Sequence, residues 1–250
     1  MELTLKYSIR RRSLGNYSMF NKVFNIIRKP GVIHLDCFTC IPEVKQFFPI
    51  QYARDVMPEW YKKLPTTVKY QGPMRGTMKT CPGVADYFRN GFVIQSWRDF
   101  YFEINDKTLS VDPESEADLH HPAQWGEALK GWSHAKLICP WRIQEKTGVN
   151  FLFNNAFWHN QQKNYFVPSG VVNYKHQTTA NVNLVINNSM YPNNCTITGG
   201  EPLVHCIPMS DKKIKIHTHL VTPIEYTMKQ SYHWSWAGQY YKNKKMREAK

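Results

Sequence analysis

The chain has little of several things, and each shortage excludes a class. No apolar run approaches the ~18 to 20 residues needed to span a bilayer as a helix, and none is therefore predicted. The opening MELTLKYSIRRRSLGNYSMF has neither the apolar stretch nor the small-residue cleavage site of a secretory signal. The expected setting is thus a cell interior, with no membrane partner. Cysteine is sparse, six in 250 residues, which is the usage of a reducing compartment and predicts free thiols. No GxSxG elbow, Walker phosphate loop or GxGxxG opens a helix after a strand, so serine-hydrolase, P-loop and Rossmann chemistry have no support. Acid is scarce too. Nineteen Asp and Glu stand against 32 Lys and Arg, a formal net charge of +13, which attracts polyanions before any specific contact forms.

Enough apolar sequence remains for one large core, with 42% hydrophobic and 14% aromatic residues. Residues 1–30 read as a basic arm, carrying Lys6, Arg10, Arg11, Arg12, Lys22, Arg28 and Lys29 against Glu2 and closing at Pro30-Gly31. Residues 31–250 read as a single domain. VIHLDCF is strand-like, and Pro42, Pro49, Pro58 and Pro65 then forbid one long helix, leaving short turns. Thr80 and Pro82 read as the start of a helix that Gly91 stops.

Beyond Gly91 about eight short β-branched or aromatic runs follow: FVIQSW, FYFEI, AKLICPW, VNFLF, TTANVNLVI, CTITG, PLVHCIP and KIKIHTHLV. No helical crossovers separate them, which predicts antiparallel pairing. The fold class expected is mainly β, α+β on its N-terminal side, as an antiparallel jelly roll or β-sandwich with short helices. The basic tail, SWAGQYYKNKKMREAK, reads as a terminal helix. The acidic stretch from Asp99 to Asp118 reads as a solvated loop, or as a dock for a basic arm.

The chemistry-bearing patterns are few. Cys37 and Cys40 form a CxxC without the second pair that a structural zinc site needs, and a strand would turn His34 away from Cys37. His217 and His219, two apart on a strand, share a face, the way β-barrel non-haem iron sites present a histidine pair. His205 with Glu225, or Glu201, would complete such an iron site. The alternation nevertheless places these histidines with Lys213 and Lys215, opposite Ile214, Ile216, Thr218 and Leu220, as an outward face would. His120 and His121 are adjacent and diverge on a strand. Cys81 sits at a helix start without an assignable base. Eight Trp and fourteen Tyr among the basic residues permit stacking and phosphate neutralisation on single-stranded nucleic acid. Arg10, Arg11, Arg12, Lys242, Lys244 and Lys245 are the polyanion-binding candidates.

The stretches LDCFTCIPEVKQFFPIQYARDVMPEWYKKLP and TMKTCPGVADYFRNGFVIQSWRDF, with TTANVNLVI and GGEPLVHCIP further on, resemble an uncharacterised family of large tailed phages, particularly those of marine cyanobacteria, and of bacteria. The resemblance spans roughly residues 32–236 and carries no assigned site residues. It implies a phage gene product made in a bacterial host cytoplasm, with a jelly-roll-like domain. The expected function is a non-enzymatic binding or assembly protein, a homo-oligomer or virion component using basic arms. A cupin-like, iron-dependent oxygenase and a single-stranded nucleic-acid-binding protein are the alternatives.

Overall fold

The computed structural model describes residues 31–69, 71–105, 108–159, 163–188, 194–229 and 245. The basic arm with Arg10, Arg11 and Arg12, and Lys242 and Lys244 of the tail, lie outside the described residues, while Lys245 is helical and exposed.

The first strand, β1 (Val32–Thr39), sets the architecture by its alternation. Ile33, Leu35 and Cys37 are fully buried in the apolar core, so a period of two puts His34, Asp36 and Phe38 on the other face. The prolines then break the chain as predicted into α1 (Pro42–Phe47), β2 (Gln51–Tyr52), a 3-10 turn at Ala53–Val56 and α2 (Glu59–Lys63). A hairpin that the sequence pattern does not predict follows, β3 (Thr67–Lys69) and β4 (Met74–Gly76).

The next helix, α3, runs over Pro82–Arg89 with Pro82 in its first turn. Its N-cap is Cys81, because Thr80 turns back to donate its hydroxyl to the Thr77 carbonyl at 2.8 Å. Gly91 ends the helix at φ +84°, and a Cβ there would sit 2.1 Å from the Cys206 carbonyl oxygen. Only glycine fits such a combination of positive φ and close backbone approach.

The eight predicted strands all form, as β5 (Phe92–Gln95), β6 (Phe100–Asn105), β9 (Trp132–Leu137), β11 (Asn150–Asn155), β14 (Val182–Asn187), β15 (Asn194–Ile197), β16 (Pro202–Pro208) and β17 (Lys213–Leu220). Among the described residues five more lie between them: β7 (Thr108–Asp112), β8 (Ala117–His120), β10 (Arg142–Glu145), β12 (Tyr165–Phe166) and β13 (Gly170–Asn173). The strand orders are β13-β11-β16-β5-β2, β12-β14-β9-β8, β15-β6-β7, β10-β1-β17 and β3-β4. The protein is thus mainly β, with several antiparallel sheets of sandwich character and a few short helices, among them α4 (Pro223–Met228). One pairing departs from the antiparallel expectation, since β1 runs parallel to β17. Almost the whole domain connects these two strands, so the long crossover a parallel pair requires is available.

One apolar cluster joins the sheets, with Leu35, Phe92, Phe102, Leu137, Trp141, Phe151, Leu184 and Leu203 among its members. Trp141 meets its polar requirement by donating to the Phe48 carbonyl at 3.1 Å. Glu145, 2% exposed, accepts from the backbone N–H groups of Thr147, Gly148 and Val149 at 2.5, 2.7 and 3.2 Å, which fixes the turn into β11.

The acidic stretch is not the solvated loop its charge suggests. Phe100, Phe102 and Ile104 are buried while Tyr101 and Glu103 are exposed, so β6 and β7 form a half-buried hairpin. Glu116 accepts from Trp97 Nε1 and Arg98 Nη1, both at 2.6 Å, and Asp118 pairs with Lys136. All six cysteines are free. Four are buried, Cys40 is half-buried and Cys81 exposed. Among the described residues no helix is long and apolar enough to cross a membrane.

Candidate functional site

The polar face of the β10-β1-β17 sheet gathers more chemistry-bearing side chains than the sequence pattern suggested. Strand register decides which ones meet. The parallel pairing sets Lys215 beside His34, His217 beside Asp36 and His219 beside Phe38. On the other flank the antiparallel pairing sets Gln144 beside Asp36 and Arg142 beside Phe38. Residues paired across a ladder share a face, so all eight lie on the side away from Ile33, Leu35 and Cys37.

His34 Nδ1 lies 3.0 Å from His217 Nε2, and the two rings are within 8° of parallel. Such a contact requires one N–H and one bare nitrogen. Burial lowers the pKa of His217 from the usual histidine value, with Asp36 acting against the shift and His34, Lys215 and His219 adding to it. His219 Nε2 meets Asp36 Oδ1 at 3.2 Å and stacks on Phe38 at 4.9 Å between centroids. The predicted pair therefore does share a face, but both histidines are half-buried instead of facing solvent. The cause is β1, whose own polar face lies against them.

The rest of the predicted iron set is not brought to this pair. His205, 2% exposed on β16, meets the Asn90 carbonyl oxygen at 2.7 Å. The Glu225 carboxylate accepts from the Thr222 backbone N–H at 2.9 Å, closing the capping box of α4. Glu201 accepts from the Tyr165 hydroxyl and from Lys163 Nζ. Among the described residues no group of three or more His, Cys, Asp or Glu is placed to hold a metal ion. The donors among the described residues do not fit a resident iron. His120 and His121 also part company. His120 meets Gln124 Oε1 at 2.6 Å and packs its ring 4.5 Å from that of His134, whereas His121 accepts from the Ala123 N–H.

Arg142, absent from the sequence candidates, is the anomaly of this face. It is 8% exposed, and its Nε and Nη1 are buried without a hydrogen-bond partner. Its guanidinium lies 4.8 Å from the Tyr226 ring centroid, and Lys229 Nζ lies 4.5 Å from that of Phe38. A desolvated cation–π contact contributes about 2 kcal/mol, whereas burying an ion costs several kcal/mol. The Tyr226 contact therefore leaves Arg142 undercompensated. The signal that was available in sequence is the matching alternation of HLDCF in β1 and KIKIHTH in β17. Nothing in CPWRIQE marks Arg142 as buried.

No protein-family model matches this sequence, and no curated protein matches it.

Proposed function

We propose that the chain is a non-enzymatic binding or assembly protein of a large tailed phage, made in the bacterial host cytoplasm, that associates with further copies of itself. One observation carries this reading. The β3-β4 hairpin forms a two-stranded sheet of its own in which all six residues are exposed. Isolated two-stranded hairpins are marginal in water, and free strand edges invite pairing. This one displays Val68 and Met74, 44% and 61% exposed, beside the exposed cations Lys69 and Arg75. Lys79 holds its base by donating to the carbonyls of Tyr61 and Lys62 at 2.9 and 3.0 Å.

The complementary surface is the β6-β7 hairpin, which exposes Tyr101 together with Glu103, Asp112 and the following Glu114. A basic, apolar-tipped hairpin and an acidic hairpin on one chain make a head-to-tail contact, which closes into a ring or extends as a filament. The virion and the host cytoplasm are both compatible settings for such an assembly. The resemblance to tailed-phage proteins supports the phage origin.

The test is sedimentation velocity of the full chain over a concentration series at low and high salt. Self-association that weakens with salt is expected, and the double substitution Val68→Asp, Met74→Asp abolishes it. A monomer at every concentration, or an oligomer indifferent to both changes, sinks the reading. Salt-sensitive binding to single-stranded DNA by a chain that stays monomeric supports the nucleic-acid alternative instead.

A further inference from the structure

We propose that Arg142 anchors a phosphate-binding site on the polar face of the β10-β1-β17 sheet, with Lys229 as its second cation. A guanidinium is charged at every physiological pH, and buried ones are retained with an anion. Arg142 is more than nine-tenths buried, yet its Nε and Nη1 donate to nothing. Among the described residues of this sheet face the acid is Asp36, and it is engaged by His219 at 3.2 Å.

The contact Arg142 does make leaves its anion-binding capacity unused. Tyr226 covers the guanidinium at 4.8 Å from its ring centroid, a contact through the face of the planar group. Oxyanions bind instead along its edge, through in-plane N–H donors. The two modes are compatible.

The covering element also supplies the second charge. Tyr226 belongs to α4, and Lys229 is the C-cap of that helix, its ammonium 4.5 Å from the ring centroid of Phe38. Phe38 is in turn the register partner of Arg142 on β1. One cation on the strand position beside Phe38 and a second over the Phe38 ring together match the charge of about −1.5 to −2 on a phosphate monoester at neutral pH. A carboxylate carries half of that.

Access is through α4, which buries little of itself. Ile224 and Met228 are 71% and 60% exposed. The helix is tied at its start by the Thr222–Glu225 capping box and past its end by the Thr178 hydroxyl, which donates to the Lys229 carbonyl at 2.7 Å. A lightly packed, end-tethered turn is the element that yields when a ligand enters.

Thermal melts of the full chain with inorganic phosphate, titrated at constant ionic strength, test the site. The melting temperature of the wild type rises saturably with phosphate, and that of Arg142→Met does not. Lys229→Gln weakens the apparent phosphate affinity about tenfold. A wild type indifferent to phosphate, an equal rise in Arg142→Met, or an equal rise with acetate at the same ionic strength overturns the proposal. Should Arg142→Met fail to fold, Lys229→Gln decides, and unchanged phosphate affinity in that variant overturns it as well.

Discussion

His34 and His217, 183 residues apart in sequence, share one hydrogen bond of 3.0 Å between their rings. The first and last long strands of the domain are stapled together there. The pair holds only while one ring nitrogen is bare, so it tolerates at most one extra proton.

Acid should therefore weaken the fold, and the sign follows from where the protons bind. Burial lowers the pKa values of His217, His134 and His205, and that of His159 to about 4. In the unfolded chain the same histidines titrate near the ordinary value of about 6.5. Between the two values the unfolded state holds more protons, so stability rises with pH across that window. It is fully present above about pH 6.5 and is lost as pH falls towards the folded values. Each histidine that titrates fully only on unfolding contributes a slope of about 1.4 kcal/mol per pH unit. Urea melts at pH 7.5, 6 and 5 read the effect, and a midpoint independent of pH across this range would contradict it.

Gly91→Ala should be severe. It forces an L-residue to φ +84° and drives its Cβ to 2.1 Å from the Cys206 carbonyl oxygen on β16. Incompatible backbone substitutions of this kind cost more than the ~1 kcal/mol range of tolerated glycine changes, so the melting temperature should fall by more than the about 2 to 4 °C that each kcal/mol gives. Gly83→Ala is the control. Its site lies in α3 with nothing within 4 Å of the added carbon, so it should be neutral or slightly stabilising.

The β pattern was legible where strands alternate strongly. All eight apolar runs after Gly91 are strands because their inward residues, such as Phe100, Phe102 and Ile104, have a core to meet. TLSVD, ADLH and RIQE were missed because their alternation is short or interrupted by charge, and tertiary pairing makes them strands. The β3-β4 hairpin was missed for the opposite reason, since exposed residues carry no burial pattern. At the site, period two put His217 and His219 on one face correctly. Their partners His34 and Asp36 arrive through a parallel pairing of the chain's two distant ends, which local periodicity does not encode. Whether a charge like that of Arg142 is satisfied is decided only by the tertiary packing around it.

Glu145→Gln tests the turn between β10 and β11. The carboxylate accepts three backbone N–H groups while 2% exposed, and the amide sets an NH2 against one or more of those donors. Buried donors left unsatisfied cost about 1 to 3 kcal/mol. Equilibrium unfolding should show a loss in that range with an unchanged denaturant slope. A loss near zero would mean that the turn is held by other contacts.

Thiol reactivity should divide by burial. Burial pushes the Cys139 and Cys195 thiols up to about 12 and raises Cys37 and Cys206 well above the ordinary range, while Cys81 is exposed. Thiolate is the reactive species. A thiol-specific chromophore under native conditions should label Cys81 first and leave these four until denaturant is added. Rapid native labelling of more than two thiols would show that the core opens.

The last prediction separates two accounts of Arg142. If the guanidinium is there for the fold, through its contact with the Tyr226 ring at 4.8 Å, then Arg142→Met should destabilise the ligand-free protein by about the 2 kcal/mol of a desolvated cation–π contact. If it is there for an anion, the ligand-free protein bears an uncompensated buried charge, and an apolar side chain of similar length relieves it. Replacing buried charges by well-packed apolar groups is commonly neutral or stabilising by about 1 to 4 kcal/mol, and methionine keeps an unbranched stem on the strand position beside Phe38. The expected result is thus a phosphate-free midpoint equal to or above that of the wild type. Tyr226→Leu completes the cycle. With the ring gone, the stability difference between the arginine-bearing chain and its Arg142→Met variant should change by no more than the cation–π contribution. A phosphate-free loss of about 2 kcal/mol on Arg142→Met that vanishes in the Tyr226→Leu background would assign the arginine to structure instead.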